Sequence, residues 1–201
     1  MNSYLLLGVF LIGVATCAEL LTLPQNCIND FNMCIFKVHN KLRSLHFSPD
    51  LIVDSELQKK AIAYSQKMGV DDIFAHSTGL AALKMGENLA MSFNSQGYDM
   101  KSCGGLGKYF AEKWYEEIKN YNFNTHSSNG GVIGHFTQLV WRSSSKIGCG
   151  LAITKDKKAY ITCNYSPNGN IRGRYNTNVF PNVTKYDKGE YNCEDTTDSF
   201  F

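Results

Sequence analysis

The chain has 201 residues and a formal net charge of +2, with 20 basic and 18 acidic side chains. It contains no long basic run and no interleaving of basic with aromatic residues, so nucleic acid is not an implied partner. A chain of this length can bury roughly 70% of its unfolded surface in a single core, so one folded domain is expected.

An apolar block from Tyr4 to Ala18 opens the chain and ends in small residues. This pattern predicts a secretory signal peptide over residues 1–18, followed by an N-terminal extension over residues 19–33. The block is shorter than the roughly 20 apolar residues that a membrane-spanning helix needs. We therefore expect a secreted, extracellular protein with no transmembrane segment once the signal peptide is removed.

Six cysteines remain after the predicted signal peptide, namely Cys27, Cys34, Cys103, Cys149, Cys163 and Cys193. An even number in a secreted chain predicts three disulfides, and the absence of clustered Cys-x-x-Cys spacing argues against a cysteine metal site. Cys27 and Cys34 are seven residues apart, which on a continuous helix means a rise of about 10.5 Å. The Cα atoms of a disulfide usually lie about 4.4 to 6.8 Å apart. Either the first helix begins after Cys27, or these two cysteines have other partners.

Two helices are predicted in the first third of the chain. The first ends before Ser48 and Pro49, and its apolar stripe consists of Phe31, Ile35, Val38, Leu42 and Leu45. His39 lies at the edge of this stripe, and we interpret it as a hydrogen-bonded core histidine. The second helix begins near Asp54 or Ser55, and it buries Leu57, Ala61, Tyr64 and Met68.

A third helix is predicted from about Leu106 to Asn120. At 100° per residue, Glu117 falls on the same stripe as Phe110 and Trp114, whereas the adjacent Glu116 points about 100° away. A buried carboxylate costs several kcal/mol unless it is paired, hydrogen-bonded or bound to metal. Glu117 therefore needs a partner inside the fold, unless its side chain bends outward to the rim.

The segment from His135 to Trp141 alternates large apolar groups on both faces. This pattern predicts a strand covered by helices on both sides. Two further apolar runs, over residues 148–153 and 160–165, flank a Lys/Asp-rich turn and predict a β-hairpin. His76, in the irregular segment 74–77, and Glu87 after a glycine are by themselves ordinary surface residues.

Four motifs together resemble the CAP superfamily of cysteine-rich secretory proteins, insect antigen 5 and plant pathogenesis-related class 1 proteins. They are GHFTQLVWRSS over 134–144, YITCNYSPNGNI over 160–171, HNKLR over 39–43 and GENL over 86–89. The resemblance implies an α+β fold, a three-layer α-β-α sandwich with a central, mostly antiparallel sheet stapled by disulfides. It places the CAP domain over residues 34–181, ahead of a polar C-terminal tail over 182–201. It also implies a disulfide between Cys149 and Cys163, while the other four cysteines stay unassigned.

The resemblance further implies a cavity tetrad of His76, Glu87, Glu117 and His135. Two imidazoles and two carboxylates in one cleft suit a divalent metal, with zinc a better match than magnesium, or a set of acid-base pairs. No metal is expected to be required for folding. The alternative use of the same tetrad is a metal-dependent hydrolase or protease, for which Ser77 is the tempting nucleophile, without a predicted third residue to orient its base.

For function, the resemblance implies a carrier of small apolar ligands, sterols or fatty acids, and an extracellular effector that binds a protein partner. This non-catalytic interpretation is preferred to the hydrolase. A flexible loop predicted over residues 90–99 offers Met91, Phe93 and Tyr98 as ligand contacts. Residues 171–181 are predicted to be extended. Asn182 begins an N-V-T glycosylation sequon, which is preferred to the second sequon at Asn164 because Pro167 follows that one.

Overall fold

The computed structural model describes residues 18–184 and Cys193. Its α-helices are α1 (Gln25–Ser44), α2 (Ser55–Asp71), α3 (Gly104–Tyr115) and α4 (Gly134–Leu139). Its strands are β1 (Ile52–Val53), β2 (Gly86–Phe93), β3 (Tyr121–Asn122), β4 (Ser127–Ser128), β5 (Lys146–Ile153) and β6 (Lys158–Ser166). The predicted signal peptide apart from Ala18, and residues 185–192 and 194–201 of the predicted tail, lie outside the described residues. Within that described part, no helix is both long and apolar enough to cross a membrane.

The main sheet has the strand order β1-β5-β6-β2. β1 runs parallel to β5, and the other two pairings are antiparallel. Helices cover both faces of this sheet. Leu89 in β2 packs with Met68 of α2 on one face, whereas the neighbouring Asn88 bonds Tyr165, which bonds His39 of α1 on the other. The predicted α-β-α sandwich with a mostly antiparallel sheet is confirmed.

The predicted hairpin is formed by β5 and β6, with Cys149 directly opposite Cys163. A disulfide joins these two cysteines, as the resemblance implied. The remaining pairs are Cys27–Cys103 and Cys34–Cys193. Since α1 begins at Gln25 and contains both Cys27 and Cys34, these two have other partners, which settles the alternative left open by their spacing. Residues 25–33 of the predicted extension are thus part of α1.

Two glycines, which have no side chain, allow neighbouring elements to approach each other closely. A Cβ at Gly107 in α3 would lie 2.7 Å from the Phe31 carbonyl oxygen and 2.9 Å from the Ile35 nitrogen of α1. A Cβ at Gly150 in β5 would lie 2.4 Å from the Ile62 nitrogen of α2. Helix α1 therefore packs directly on α3, and α2 packs directly on the sheet.

The strand predicted from His135 to Trp141 is wrong, because residues 134–139 form the helix α4. Residues 136–139 are all buried, so both even-numbered and odd-numbered positions need side chains that suit the interior. A short buried helix therefore gives the same sequence pattern as a strand that is covered on both faces. The helix is selected by tertiary contacts. The Glu117 carboxylate accepts the backbone N–H groups of His135 and Phe136 at its first turn.

Two further predictions of local structure are also wrong. Residues 90–93 belong to β2 rather than to a loop, because they pair with β6 as far as Phe93 opposite Lys158. Residues 171–181 are not extended throughout but contain a 3₁₀ turn, Tyr175–Thr177. The Asn178 side chain donates to the Arg174 carbonyl and accepts from the Ser143 backbone, which fixes this turn against the segment after α4.

Candidate functional site

Glu117 and His135 form a close pair below the end of α3. The predicted third helix ends as an α-helix at Tyr115 and continues as a 3₁₀ turn to Asn120, yet Glu117 still points inward. Its Oε1 lies 2.6 Å from His135 Nδ1. Its Oε2 accepts the backbone N–H of His135 at 2.9 Å and that of Phe136 at 3.1 Å. One carboxylate therefore caps α4 and orients the imidazole.

His76 and Glu87 form a second pair of the same kind. Glu87 Oε1 lies 2.8 Å from His76 Nδ1 and accepts the Ser77 backbone N–H at 2.9 Å. The Glu87 side chain is fully buried, whereas the imidazole of His76 is 60% exposed. Glu87 Oε2 is buried and has no hydrogen-bond partner in the part of the chain that the structure describes. A buried carboxylate oxygen of this kind needs water or a cation to compensate it.

Both imidazoles line one cleft of about 350 Å³, together with Glu87, Asn88 and Val132. Because each carboxylate can only accept, a neutral imidazole in this position carries its ring hydrogen on Nδ1, which leaves Nε2 as an acceptor. Neither Nε2 is hydrogen-bonded to any described residue. This is the orientation of a histidine that binds metal through Nε2 while a carboxylate holds its other nitrogen. Across residues 18–184 and Cys193, however, no three His, Cys, Asp or Glu side chains are grouped closely enough to hold a metal ion.

A buried polar chain supports His135 from behind. Its first member, His39, is the hydrogen-bonded core histidine that the sequence predicts, but the link through Tyr165 and Asn88 could not be recognised from the sequence. His39 donates from Nδ1 to the Ile35 carbonyl, so its Nε2 accepts from the Tyr165 hydroxyl at 2.8 Å. Asn88 donates to that hydroxyl oxygen at 3.2 Å and to the His135 carbonyl at 3.0 Å. Burial lowers the pKa of His39 to about 4, so the ring stays neutral, as this directed chain requires.

Arg43 is the second support that sequence reasoning missed. Its guanidinium is fully buried and donates to four carbonyl oxygens, those of Pro49, Leu139, Trp141 and Ser144. Burial lowers the pKa of this guanidinium to about 10, so it remains charged. It binds the C-terminal end of α4, where unpaired carbonyls and a cation attract each other. Arg43 and Glu117 thus hold opposite ends of the helix that carries His135.

The remaining predicted site residues lie outside this cleft or lack the contacts that their predicted roles need. Ser77 has no hydroxyl hydrogen bond to either imidazole among the described residues, so it is not arranged as an activated nucleophile. Met91 and Phe93 lie on β2 and are 43% and 63% exposed. Tyr98 is partly buried, and its hydroxyl bonds both the hydroxyl and the carbonyl of Ser92.

A separate cavity of about 390 Å³ lies at the opposite edge of the sheet, next to β5. Its walls come from α1, α2, β5 and the segment that precedes α1. The lining side chains include Leu20, Leu23, Ile28, Phe31, Ile62 and Leu151, with Thr22, Asn32 and Gln66 as polar members. No lining residue is charged. This cavity could not be predicted from the sequence, because one of its walls depends on where residues 20–23 lie in the fold.

Comparison with known sequences agrees with the family resemblance of the four sequence motifs. The family model described as the cysteine-rich secretory protein family, CAP, matches residues 36–165. The human Golgi-associated plant pathogenesis-related protein 1 is 35% identical over 159 residues, covering 78% of this chain and 97% of that protein.

Solved structures show the same fold. NaASP2, crystallised with Zn²⁺, superimposes with a TM-score of 0.59 at 23% identity and covers 80% of this chain and 90% of its own. Schistosoma mansoni venom allergen-like protein 4 has a TM-score of 0.55 at 20% identity, covering 80% of this chain and 98% of its own. At these identities the likeness concerns the fold alone.

Proposed function

The chain belongs to the cysteine-rich secretory protein (CAP) family, and from that membership we propose that it is an extracellular carrier of small apolar ligands, such as sterols or fatty acids. The single observation that carries this proposal is the uncharged cavity beside β5. Its volume of about 390 Å³ is within the range of about 300 to 1,000 Å³ typical of small-molecule sites. Burial of apolar ligand surface contributes about 25 cal/mol per Å². This contribution does not depend on the cleft lined by His76 and His135, which we call the histidine cleft.

Ligand binding can be tested with protein that is secreted from a eukaryotic host and stripped of lipid. Calorimetry with a fatty acid and a sterol should show binding to the unaltered protein. Ile62→Trp places an indole in the cavity and should abolish binding, whereas Ile73→Trp alters an exposed side chain outside the cavity and should not. Equal binding by both variants would show that the ligand lies elsewhere, and no binding to any form would contradict the proposal.

A second proposed function is divalent-cation binding at the histidine cleft. It is supported by the affinity of imidazole for zinc and by three atoms without a hydrogen-bond partner among the described residues, namely the two Nε2 atoms and Glu87 Oε2. His76 and His135 would hold the ion, with water completing its coordination, while Glu117 orients His135. A bound divalent ion would supply Lewis acidity. We favour binding over hydrolysis because, among the described residues, no serine or cysteine side chain is hydrogen-bonded to either imidazole as an activated nucleophile.

Zinc binding can be measured by calorimetry on His76→Ala, His135→Ala and a control, His126→Ala. His126 bonds Tyr121 rather than a tetrad residue. Each cleft variant should lose at least tenfold in zinc affinity, while the control and fatty-acid binding stay unchanged. Esterase and peptidase turnover is expected in none of these proteins. Metal-dependent turnover by the unaltered protein that disappears in His135→Ala would establish the hydrolase instead.

Secretion is part of the same proposal. Three disulfides pair all six cysteines from Cys27 to Cys193, and such bonds persist mainly in oxidising compartments. The apolar leader over residues 1–18 supports export. Expression of the full chain in eukaryotic cells should therefore yield protein in the medium that begins near Glu19. Retention of the chain in the Golgi would favour the location named for the human relative.

A further inference from the structure

The outer edge of β5 has a gap in its hydrogen bonding. At one end, β1 pairs with it, and Asp54 N–H donates to the Ile147 carbonyl. At the other end, the segment before α1 pairs with it, and Leu21 N–H donates to the Ile153 carbonyl. Odd-numbered residues of β5 therefore turn their backbone groups outward, since alternate residues of an edge strand do so.

Cys149 and Leu151 are the odd-numbered residues between these two ends. No described residue pairs with their outward N–H and C=O groups, although Cys149 is 5% and Leu151 is 7% exposed. Buried backbone groups without a partner are rare and costly, so each must be satisfied by water or a ligand. The space beside Cys149 is about 20 Å³, enough for one water. Leu151 lines the cavity of about 390 Å³.

A ligand that fills the larger cavity would keep water away from the Leu151 backbone. A bare hydrocarbon would leave both the N–H and the C=O unpaired, which costs affinity. An ionised carboxylate accepts but cannot donate, so it leaves the C=O unpaired. It would also be a buried charge without a counter-ion, because no lining residue is cationic.

We infer that the ligand of this cavity is a neutral amphiphile, an apolar body with one group that both donates and accepts a hydrogen bond, held at the backbone of Leu151. A hydroxyl and a secondary amide both have this chemistry. The inference rests on the proposed function, and it narrows the ligand class to neutral alcohols or amides in preference to ionised fatty acids.

A matched series of ten-carbon probes tests this inference: decan-1-ol, N-methyldecanamide, methyl decanoate and decanoate. In competition binding at neutral pH, decan-1-ol, N-methyldecanamide or both should bind at least tenfold more tightly than decanoate and methyl decanoate. A tenfold difference in affinity corresponds to about 1.4 kcal/mol. The tighter of these two probes shows whether the cavity prefers a hydroxyl or an amide. Ile62→Trp should abolish binding of every probe that binds.

Amide hydrogen exchange locates the polar group. A bound neutral probe should slow exchange of the Leu151 N–H at least tenfold, whereas the Ala152 N–H faces β6 and should not change. Decanoate binding as tightly as the neutral probes, or neutral probes binding without protecting Leu151, would overturn the inference and leave the carrier function standing. Binding by no probe, fatty acid or sterol would overturn both.

Discussion

Glu117 binds His135 at two points, through Oε1 to the imidazole Nδ1 at 2.6 Å and through Oε2 to the backbone N–H at 2.9 Å. The same carboxylate therefore fixes where the imidazole lies and how it is rotated. The preceding residue, Glu116, instead forms an ion pair with Lys113 at 3.1 Å on the outer side of the helix. Two adjacent glutamates in one sequence thus have separate structural roles.

Replacing Glu117 with Gln should destabilise the fold and weaken zinc binding. The substitution removes the charge from three hydrogen bonds, and charge-assisted bonds contribute about 1.5 to 3 kcal/mol each, so we expect a loss of about 2 kcal/mol in the free energy of unfolding. Glu116→Gln should change it by less than about 0.5 kcal/mol, because exposed ion pairs contribute little. Urea unfolding and zinc calorimetry measure both effects. Equal losses in the two variants would contradict the different roles of these glutamates.

The inward direction of Glu117 could be predicted because its helical stripe also contains two large aromatic residues. The hairpin of β5 and β6 could be predicted because its apolar runs and turn are local features. Helix α4 could not, since Glu117 and Arg43 stabilise its two ends from distant parts of the chain. Periodicity records which residues are buried but not which backbone groups find partners.

The apolar cavity could not be predicted for a related reason. Leu20 and Leu23 belong to the segment that the sequence predicts to be an N-terminal extension. The position of this segment depends on its backbone pairing with Thr154 and Ile153. The flexible loop predicted to start at Ala90 is wrong for a similar reason, because residues 90–93 pair with β6, whereas Met91 as a ligand contact stays a prediction. Non-local strand pairing decides both cases.

Replacing Arg43 with Lys should lower the free energy of unfolding by about 3 kcal/mol or more. An ammonium group cannot reach four carbonyls at once, so some buried acceptors lose their donor. Arg142 is the matched control, because it lies on the surface and donates to the Phe47 carbonyl. Arg142→Lys should cost less than about 1 kcal/mol in the same denaturant titration. A small effect at Arg43 would show that water replaces the guanidinium.

Two glycines of α3 should respond to alanine in opposite directions. Gly107→Ala introduces a Cβ within 3 Å of α1 backbone atoms, and overpacking of this kind costs about 1 to 3 kcal/mol. No atom of the described residues lies within 4 Å of the Cβ position at Gly105, so Gly105→Ala should stabilise the helix by up to about 1 kcal/mol. Thermal unfolding should separate the two variants clearly. Stabilisation by Gly107→Ala would mean that α1 and α3 move apart at little cost.

Of the two sequons, only Asn182 should carry a glycan. Its residue is exposed, whereas Asn164 is 1% exposed within β6. Protein secreted from a eukaryotic host should lose mass on treatment with an amidase that removes N-linked glycans. Asn182→Gln should abolish that shift, and Asn164→Gln should leave it. A glycan found at Asn164 would mean that modification precedes the folding of β6.

Acid should destabilise the fold through His39. Its pKa is lowered by burial to about 4, whereas in the unfolded chain it is about 6.5. Between pH 6.5 and pH 4, the unfolded state binds a proton at His39 that the folded state does not bind. The free energy of unfolding therefore falls as the pH is lowered through this range. The two values imply a loss of about 2 kcal/mol at pH 5 from this residue, and His46, whose pKa is also lowered by burial, adds to it. Urea titrations at pH 7 and pH 5 measure the loss. His39→Gln should be less stable than the unaltered protein at pH 7, because hydrogen bonds are lost. Its free energy of unfolding should nevertheless change less between pH 7 and pH 5. An unchanged difference would assign the acid sensitivity to other groups.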